Sequence, residues 1–378
     1  MNVTVLTALI FVAVFASVIL THEFGHFLAA RLLHVEVEEF GIGLPPRITT
    51  LFHWKGTAFT LNWLPLGGFV RPKGENDPSI PGGLAASSPW TRLAVLFAGP
   101  TMNLLTAVIV FTYWFYQIGI PDYTKVQITQ VFPGSPAAQA GMQADDIVVS
   151  VNGQTVSDAN TLHDVIFANL DKPTTFLIQR GSQTVTVTAT PLSSRAQTPL
   201  GIGMSSPVFM HSGSWAQCVQ YGAIAVYVQI RGLVSLPAML INGQIPASQA
   251  RFSGFVGIYE FLNQTVSRDI QSRQAAQAAP PAASTSNPKA VDTQQPTFFT
   301  LQLIAILTVS VGFLNLVPFP ALDGGRIFFV LLELILRRRV RPEYENSVHA
   351  VGFAILLLFM LYVNAMDLIH PEIINLPK

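Results

Sequence analysis

Residues 3–30, VTVLTALIFVAVFASVILTHEFGHFLAA, decide the fold. An apolar run starts at Val3 and passes without a break into His22-Glu23-Phe24-Gly25-His26, with no charged side chain between Asn2 and Leu20. A cleavable secretory leader would open on basic residues and end its shorter apolar core at a small-residue site. Here the basic opening is missing and the run ends in ionisable residues, so a retained transmembrane helix is predicted over residues 3–30. About 20 residues suffice to cross a ~30 Å hydrocarbon core.

Working outward, the rest of the chain has the same character. Of 378 residues, 50% are hydrophobic and only 11% charged, against roughly 25% charged in soluble domains. Global disorder is excluded by the apolar content. Lys+Arg 21 balances Asp+Glu 21, so the electrostatic footprint of a nucleic-acid binder is absent. Cys218 is the sole cysteine, which rules out an intrachain disulfide or a thiolate metal cage. Further membrane helices are predicted over 93–118, 298–316 and 347–363, giving about four in all.

The segments between the helices read differently. Residues 47–52 and 57–63 alternate around Lys55-Gly56, a hairpin followed by Gly67-Gly68. The plain reading is a small extramembrane sheet; the sharper one makes 57–63 an exposed edge that takes up an extended peptide. Residues 122–195 read as a compact soluble domain. It has strands at 126–131, 174–179 and 184–190, another from Asp145 running into a tight turn at Asn152-Gly153, and a short helix capped by Ser135-Pro136. Residues 196–270 are expected to be interfacial or amphipathic, since Arg231 and Pro237 interrupt the apolar run at 215–241. Residues 271–296, rich in Ala, Gln, Ser and Pro, are expected to form a flexible tether.

The strongest chemical signal is His22-Glu23-Phe24-Gly25-His26. Histidines four apart share one helix face and can hold one zinc ion, with the glutamate beside the open position as general base. With this composition such a pattern arises by chance with a probability of roughly 0.004. The competing reading is a helix end with interfacial histidines, which leaves three ionisable groups at the end of an apolar span without a purpose. A catalytic zinc needs a third protein ligand. His34, His53, His163, His211, His349 and His370 are scattered, and His349 reads as packing or interfacial. Asp323 stands in Asn315-Leu-Val-Pro-Phe-Pro-Ala-Leu-Asp323-Gly324-Gly325, where prolines stop a helix and glycines admit close approach. Asp323 could instead cap a helix starting near Arg326; the two-histidine site lacking a ligand favours coordination.

Depth and charge agree. His22 and Asp323 each follow about one span of apolar sequence, so parallel helices with one reversal between them place both at one level; this requires 223–241 not to cross. Arg326, Arg337, Arg338, Arg339 and Arg341 crowd the loop after Asp323, which makes that face cytoplasmic. The 122–195 domain and both termini then fall outside.

With these residues in place, the chain resembles the site-2 protease family, specifically the bacterial metalloproteases of regulated intramembrane proteolysis. The resemblance rests on His22 through Arg31, Pro65 through Val70, Ala98-Gly99-Pro100-Thr-Met-Asn103, and Asn315 through Gly325. The segment Ser253-Gly-Phe-Val-Gly-Ile258 is also similar, with Phe255 where the family pattern leads one to expect proline. The resemblance implies one zinc per chain on His22, His26 and Asp323, Glu23 as general base, and a membrane-reentrant β element at 57–70 presenting substrate. Asn103 and Asn315 are candidate substrate-binding residues, with interhelical hydrogen bonding as the alternative, and Gly67 and Gly68 belong to the presenting loop. The soluble insert resembles a PDZ domain through Gly134-Ser-Pro-Ala-Ala-Gln-Ala-Gly141, with room for one copy. The expected architecture is a polytopic α-helical membrane protein with a small β-rich loop and an inserted α+β PDZ-like domain. Its segments are 1–118, 122–195, 196–270, 271–296 and 297–378. The expected activity is hydrolysis of peptide bonds in or near transmembrane segments, such as those of an anti-sigma factor or a remnant signal peptide, in a bacterial inner membrane. Partners would be membrane-protein substrates and a peptide ligand of the PDZ-like domain. A non-catalytic membrane binding protein of the same fold is the alternative, and a transporter is disfavoured by the absence of repeated halves.

Overall fold

The structure, a computed structural model, describes residues 2–181, 183–195, 198–206, 208–210, 213–244, 253–278 and 298–369. Its elements are, in order, α1 (Val3–Leu32), β1 (Val37–Trp54), β2 (Thr57–Pro72), α2 (Pro89–Ile118), β3 (Ile120–Asp122), β4 (Val126–Val131), α3 (Pro136–Gln139), β5 (Ile147–Val151) and β6 (Gln154–Thr155). They continue with α4 (Ala159–Ala168), β7 (Thr174–Arg180), β8 (Gln183–Ala189), β9 (Ile202–Ser205), β10 (Val208–Met210), α5 (Trp215–Ile241), α6 (Phe255–Ala278), α7 (Phe299–Leu314), α8 (Asp323–Leu336) and α9 (Pro342–Ile369). The chain divides into a helical unit and a sheet unit, the latter built on residues 115–218.

In the helical unit, four described helices are long and apolar enough to cross a membrane: α1, α2, α5 and α9. Their membership differs from the sequence expectation. The span expected at 298–316 is the 16-residue α7, about 24 Å long. It is walled by protein, with Ala305 and Val309 fully buried against Ala107 and Phe111 of α2 and Val226 of α5. Residues 215–241, expected at the interface, form one continuous helix of 27 residues that carries Pro237 inside it. Apolar sequence on both sides sustains the helix across that proline. Gly222 lets α5 approach α2 closely: a Cβ there would lie 2.9 Å from the Val108 carbonyl oxygen. The expected tether begins later than residue 271, because α6 continues to Ala278; residues 279–297 lie outside the described set.

The hairpin is longer than expected and has a different lateral order. Lys55 and Gly56 both take positive φ, 48° and 86°, as a two-residue type I′ turn requires. Residues 47–54 pair with 57–62, while residues 39–42 pair on one side with 58–61 and on the other with 68–71. The segment 57–63, expected to be an open edge, is therefore held on both sides over most of its length. The open edges are 47–54 and 68–72. A buried carboxylate pins this order: Glu39 accepts from Thr60 Oγ1 at 2.8 Å and pairs with Arg47 at 2.6 Å and Arg71 at 3.1 Å.

The sheet unit has six strands in the order β8-β7-β5-β4-β9, with β6 beside β5, and a separate β3–β10 ladder. Its core includes the fully buried Phe176, Ile128, Leu162 and Ile178. Ser135 caps α3 by accepting from the Ala138 N–H at 3.1 Å, as its sequence position predicts. The elements β3, α4, β6, β9 and β10 were not anticipated. Of these, α4 is capped by Asp158, whose carboxylate accepts from the Thr161 N–H at 2.8 Å, and β9 carries the unit past residue 195 and forms a free edge beside β4. Arg180 binds both oxygens of the buried Asp146, each at 2.7 Å, and fixes β7 to the loop before β5.

Candidate metal centre

His22 and His26 sit near the C-terminal end of α1, one turn apart on a single face, 7% and 9% exposed. Their Nε2 atoms are 3.1 Å apart. Asp323 Oδ2 lies 2.9 Å from His22 Nε2 and 3.2 Å from His26 Nε2. Bonds of about 2.0–2.2 Å in a tetrahedron put neighbouring ligand atoms about 3.3 Å apart. Two imidazole nitrogens and a carboxylate oxygen at these separations therefore fit one zinc ion, with a fourth direction left over. The three residues form a group able to hold a metal.

Each member is positioned by an identifiable local device. Gly25 and Gly99 bring α1 and α2 together: a Cβ at 25 would be 2.9 Å from Met102 Cβ, and one at 99 would overlap His26 Nε2. The Val95 carbonyl accepts from His26 Nδ1 at 2.8 Å, which fixes the tautomer and leaves Nε2 for a metal. Asp323 opens α8, yet its N-cap Leu322 makes no side-chain cap bond and the Asp323 carboxylate faces the histidines. The capping alternative is thus not what the side chain does. The preceding turn is held by Gly324 N–H donating to Asn315 O at 2.7 Å and Gly325 N–H donating to Leu322 O at 3.0 Å.

Glu23 projects into a cleft of about 230 Å³ that is also lined by His26, Asp323, Phe69, Val70 and Arg326. Its Oε2 accepts the Val70 N–H at 2.9 Å. Alternate residues of a strand direct their backbone groups to opposite sides, and Val70 presents its N–H away from β1, toward Glu23. Gly68 and Gly67 let this edge lie on α1: a Cβ at 68 would be 2.8 Å from Leu20 Cδ2, and one at 67 would be 3.3 Å from Ile19 Cδ1. Arg326 pairs with Glu75 at the same cleft.

Of the sequence-derived site residues, the structure brings together His22, Glu23, His26 and Asp323, with Gly67 and Gly68 alongside and Asn315 anchoring the turn. Asn103 stays apart. It is fully buried between α2 and α7 beside Gly312, away from the cleft lining, and neither amide atom has a hydrogen-bond partner. His34, His53, His163 and His349 do not join the metal group, and His211 and His370 lie outside the described residues. Sequence reasoning missed Val70, Val95, Glu75 and Arg326. None carries a local pattern, since two act through backbone atoms and two through a pairing 251 positions apart.

Comparisons with known proteins agree with this geometry. The sequence profile of peptidase family M50 matches residues 10–359. A Clostridium perfringens protein whose name describes it as a zinc metalloprotease is 30% identical over 366 residues, covering 94% of this chain and 97% of its own. Metalloprotease MmpA of Caulobacter vibrioides is 27% identical over 395 residues, 96% of this chain and 95% of that one. Zinc metalloprotease RasP of Oceanobacillus iheyensis is 25% identical over 449 residues, 96% and 98% respectively. The cleft built by α1, the β2 edge and the start of α8 thus lies in a multi-pass membrane zinc metalloprotease, and the chain belongs to peptidase family M50, the site-2 proteases.

Proposed function

We propose that this protein hydrolyses peptide bonds in or near the transmembrane segments of other membrane proteins. One observation carries the reading: Glu23, between the two histidines, is hydrogen-bonded at 2.9 Å to an open strand edge inside the cleft that holds His26 and Asp323. A proton-transfer group, a metal-binding group and a substrate-holding edge therefore converge.

His22 Nε2, His26 Nε2 and Asp323 Oδ2 would hold one zinc ion. Zinc supplies Lewis acidity there, acidifying water and polarising a carbonyl. Glu23 takes the proton from the attacking water as the C–O bond forms and returns it to the departing amide nitrogen as the C–N bond breaks. A scissile bond within a transmembrane helix must first unwind, and each N–H or C=O left unpaired in an apolar setting costs several kcal/mol. The edge at 68–72, rather than 57–63, pairs with the unwound segment by strand addition. Asn315 holds the exit side. Exposed Trp63, Phe52 and Trp54, 67%, 54% and 46% exposed, make the hairpin a membrane-dipping element.

The sheet unit serves as a PDZ-like domain. Its groove between α4 and the free edge of β9, lined by His163, Ile166, Phe167, Leu200, Ile202 and Met204, would receive an extended peptide. The arginines after Asp323 support a bacterial inner-membrane protein with its metal centre near the cytoplasmic face and residues near Gln154 outside. Anti-sigma factors and remnant signal peptides, the substrate classes that the family resemblance implies, are the proposed substrates in regulated intramembrane proteolysis.

Glu23→Gln tests the reading. The purified variant should keep its zinc and lose cleavage of a transmembrane substrate, because the amide keeps the shape and cannot accept a proton. His22→Ala and Asp323→Ala should lose zinc. Turnover near wild type in the glutamine variant would refute the base assignment, and unchanged zinc in the alanine variants would refute the ligand set.

A further inference from the structure

We propose that His349 is a positioning residue for Asp323: through one hydrogen bond it holds the turn that aims the Asp323 carboxylate at the two histidines. This rests on Asp323 being a zinc ligand.

Ala321, two residues before Asp323, has φ +84°. Residues with a side chain rarely adopt that backbone region, and they stay there only when their surroundings hold them. The holding contact is visible. The Ala321 N–H donates to Nδ1 of His349, on α9, at 2.9 Å. The same helix supports the turn a second way, since Gly352 lies against Pro320, where a Cβ would be 2.7 Å from the Pro320 carbonyl oxygen. Ala321, Leu322 and Asp323 all line the cleft, so a shift of this turn is a shift of the metal centre's wall.

Packing alone does not account for a histidine at this position. With Nδ1 accepting from Ala321, the ring proton is on Nε2, and Nε2 is buried without a partner. A leucine would fill comparable space beside Phe329 without stranding a donor. The stranded N–H is tolerated because the ring's other nitrogen supplies an acceptor to a backbone N–H that the left-handed turn directs away from its own neighbours. Groups hydrogen-bonded directly to metal ligands typically govern 10- to 100-fold in metal affinity, and a contact that sets the turn carrying Asp323 is expected to act on the same scale.

The test compares acceptors at position 349 in the full-length purified protein. Zinc affinity is measured by competition with a chelator, and kcat and KM at saturating zinc. His349→Leu removes the acceptor; it should weaken zinc by about 10- to 100-fold and lower kcat with KM little changed. His349→Asn places an amide oxygen where Nδ1 was and should stay within about threefold of wild type in both readouts. Wild-type zinc affinity in the leucine variant overturns the proposal, and so does an asparagine variant that falls as far as leucine. If the leucine variant folds poorly, Ala321→Gly is added to it. Glycine takes φ +84° without being held, so more than half of the logarithmic loss in affinity should return, and no recovery overturns the proposal. Asp323→Ala measured alongside separates the two levels: unchanged zinc there removes the ligand assignment itself, whereas lost zinc there with normal zinc in the leucine variant removes only the role of His349.

Discussion

Replacing Gly99 by alanine should disable the metal centre without substituting any residue that carries its chemistry. The added Cβ would stand 2.6 Å from His26 Cε1 and 2.8 Å from Cδ2. Ordinary contact begins at 3.4 Å, so the ring, whose Nε2 lies nearer still, must retreat by at least about 0.8 Å, roughly four times the 0.2 Å that metal–ligand distances tolerate. It cannot simply swing aside, because Nδ1 is tied to the Val95 carbonyl at 2.8 Å. Losing His26 as a well-placed ligand should weaken zinc by about 100-fold or more, about 2.8 kcal/mol at 1.4 kcal/mol per decade. Overpacking the α1–α2 seam adds about 1–3 kcal/mol of destabilisation. Metal analysis and chelator competition on the detergent-purified variant measure the first effect, and thermal unfolding the second. Gly232→Ala is the control, since a Cβ there meets nothing within 4 Å. A Gly99→Ala protein holding one zinc with unchanged affinity and turnover would refute the reasoning that this glycine exists to admit the His26 ring.

Three further outcomes follow from the same structure. Val70→Pro removes the N–H that Glu23 accepts on an edge strand where proline is tolerated, so cleavage should fall by about 10-fold or more with zinc retained; normal cleavage would detach Glu23 from the edge. Arg180→Leu leaves the buried Asp146 carboxylate without its two 2.7 Å donors, and unfolding of the sheet unit should become easier by about 2–3 kcal/mol in denaturant titration. The Asp158 carboxylate is held below the usual carboxylate range, chiefly by the Thr161 N–H. Its contribution to stability is therefore complete above the unfolded value of about 3.9 and fades as pH falls through the lower folded value. Asp158→Asn, an uncharged cap, should flatten that acid limb in hydrogen exchange of α4, and an unaltered limb would assign it to other groups.

Read alone, the sequence determined what nearest neighbours and short spacings decide. Charge-free runs gave α1 and α2, and residues able to hold positive φ gave the turns at Lys55-Gly56 and Asn152-Gly153. Ser135 gave the cap of α3, and four-residue spacing gave the paired histidines. The caps, turns and histidine spacing are local free-energy preferences written within about one turn of chain, and the apolar runs are read from contiguous sequence. Tertiary structure decided what depends on partners. Alternation at 57–63 shows that the segment has two faces, but not which strands lie beside it, and the fold-back of β1 gave it a neighbour on both sides. Apolar length made 298–316 and 215–241 comparable; packing buried one face of the shorter α7 against α2 and α5 and left α5 exposed along most of its length. Asp323 carried two local readings, cap or ligand, and only the arrival of His22 and His26 from 301 and 297 positions away selected one. The Val70 amide, the Val95 carbonyl and His349 have no signature at all, because a backbone group is the same at every residue and its partner is fixed only when the whole chain has found the packing that satisfies it.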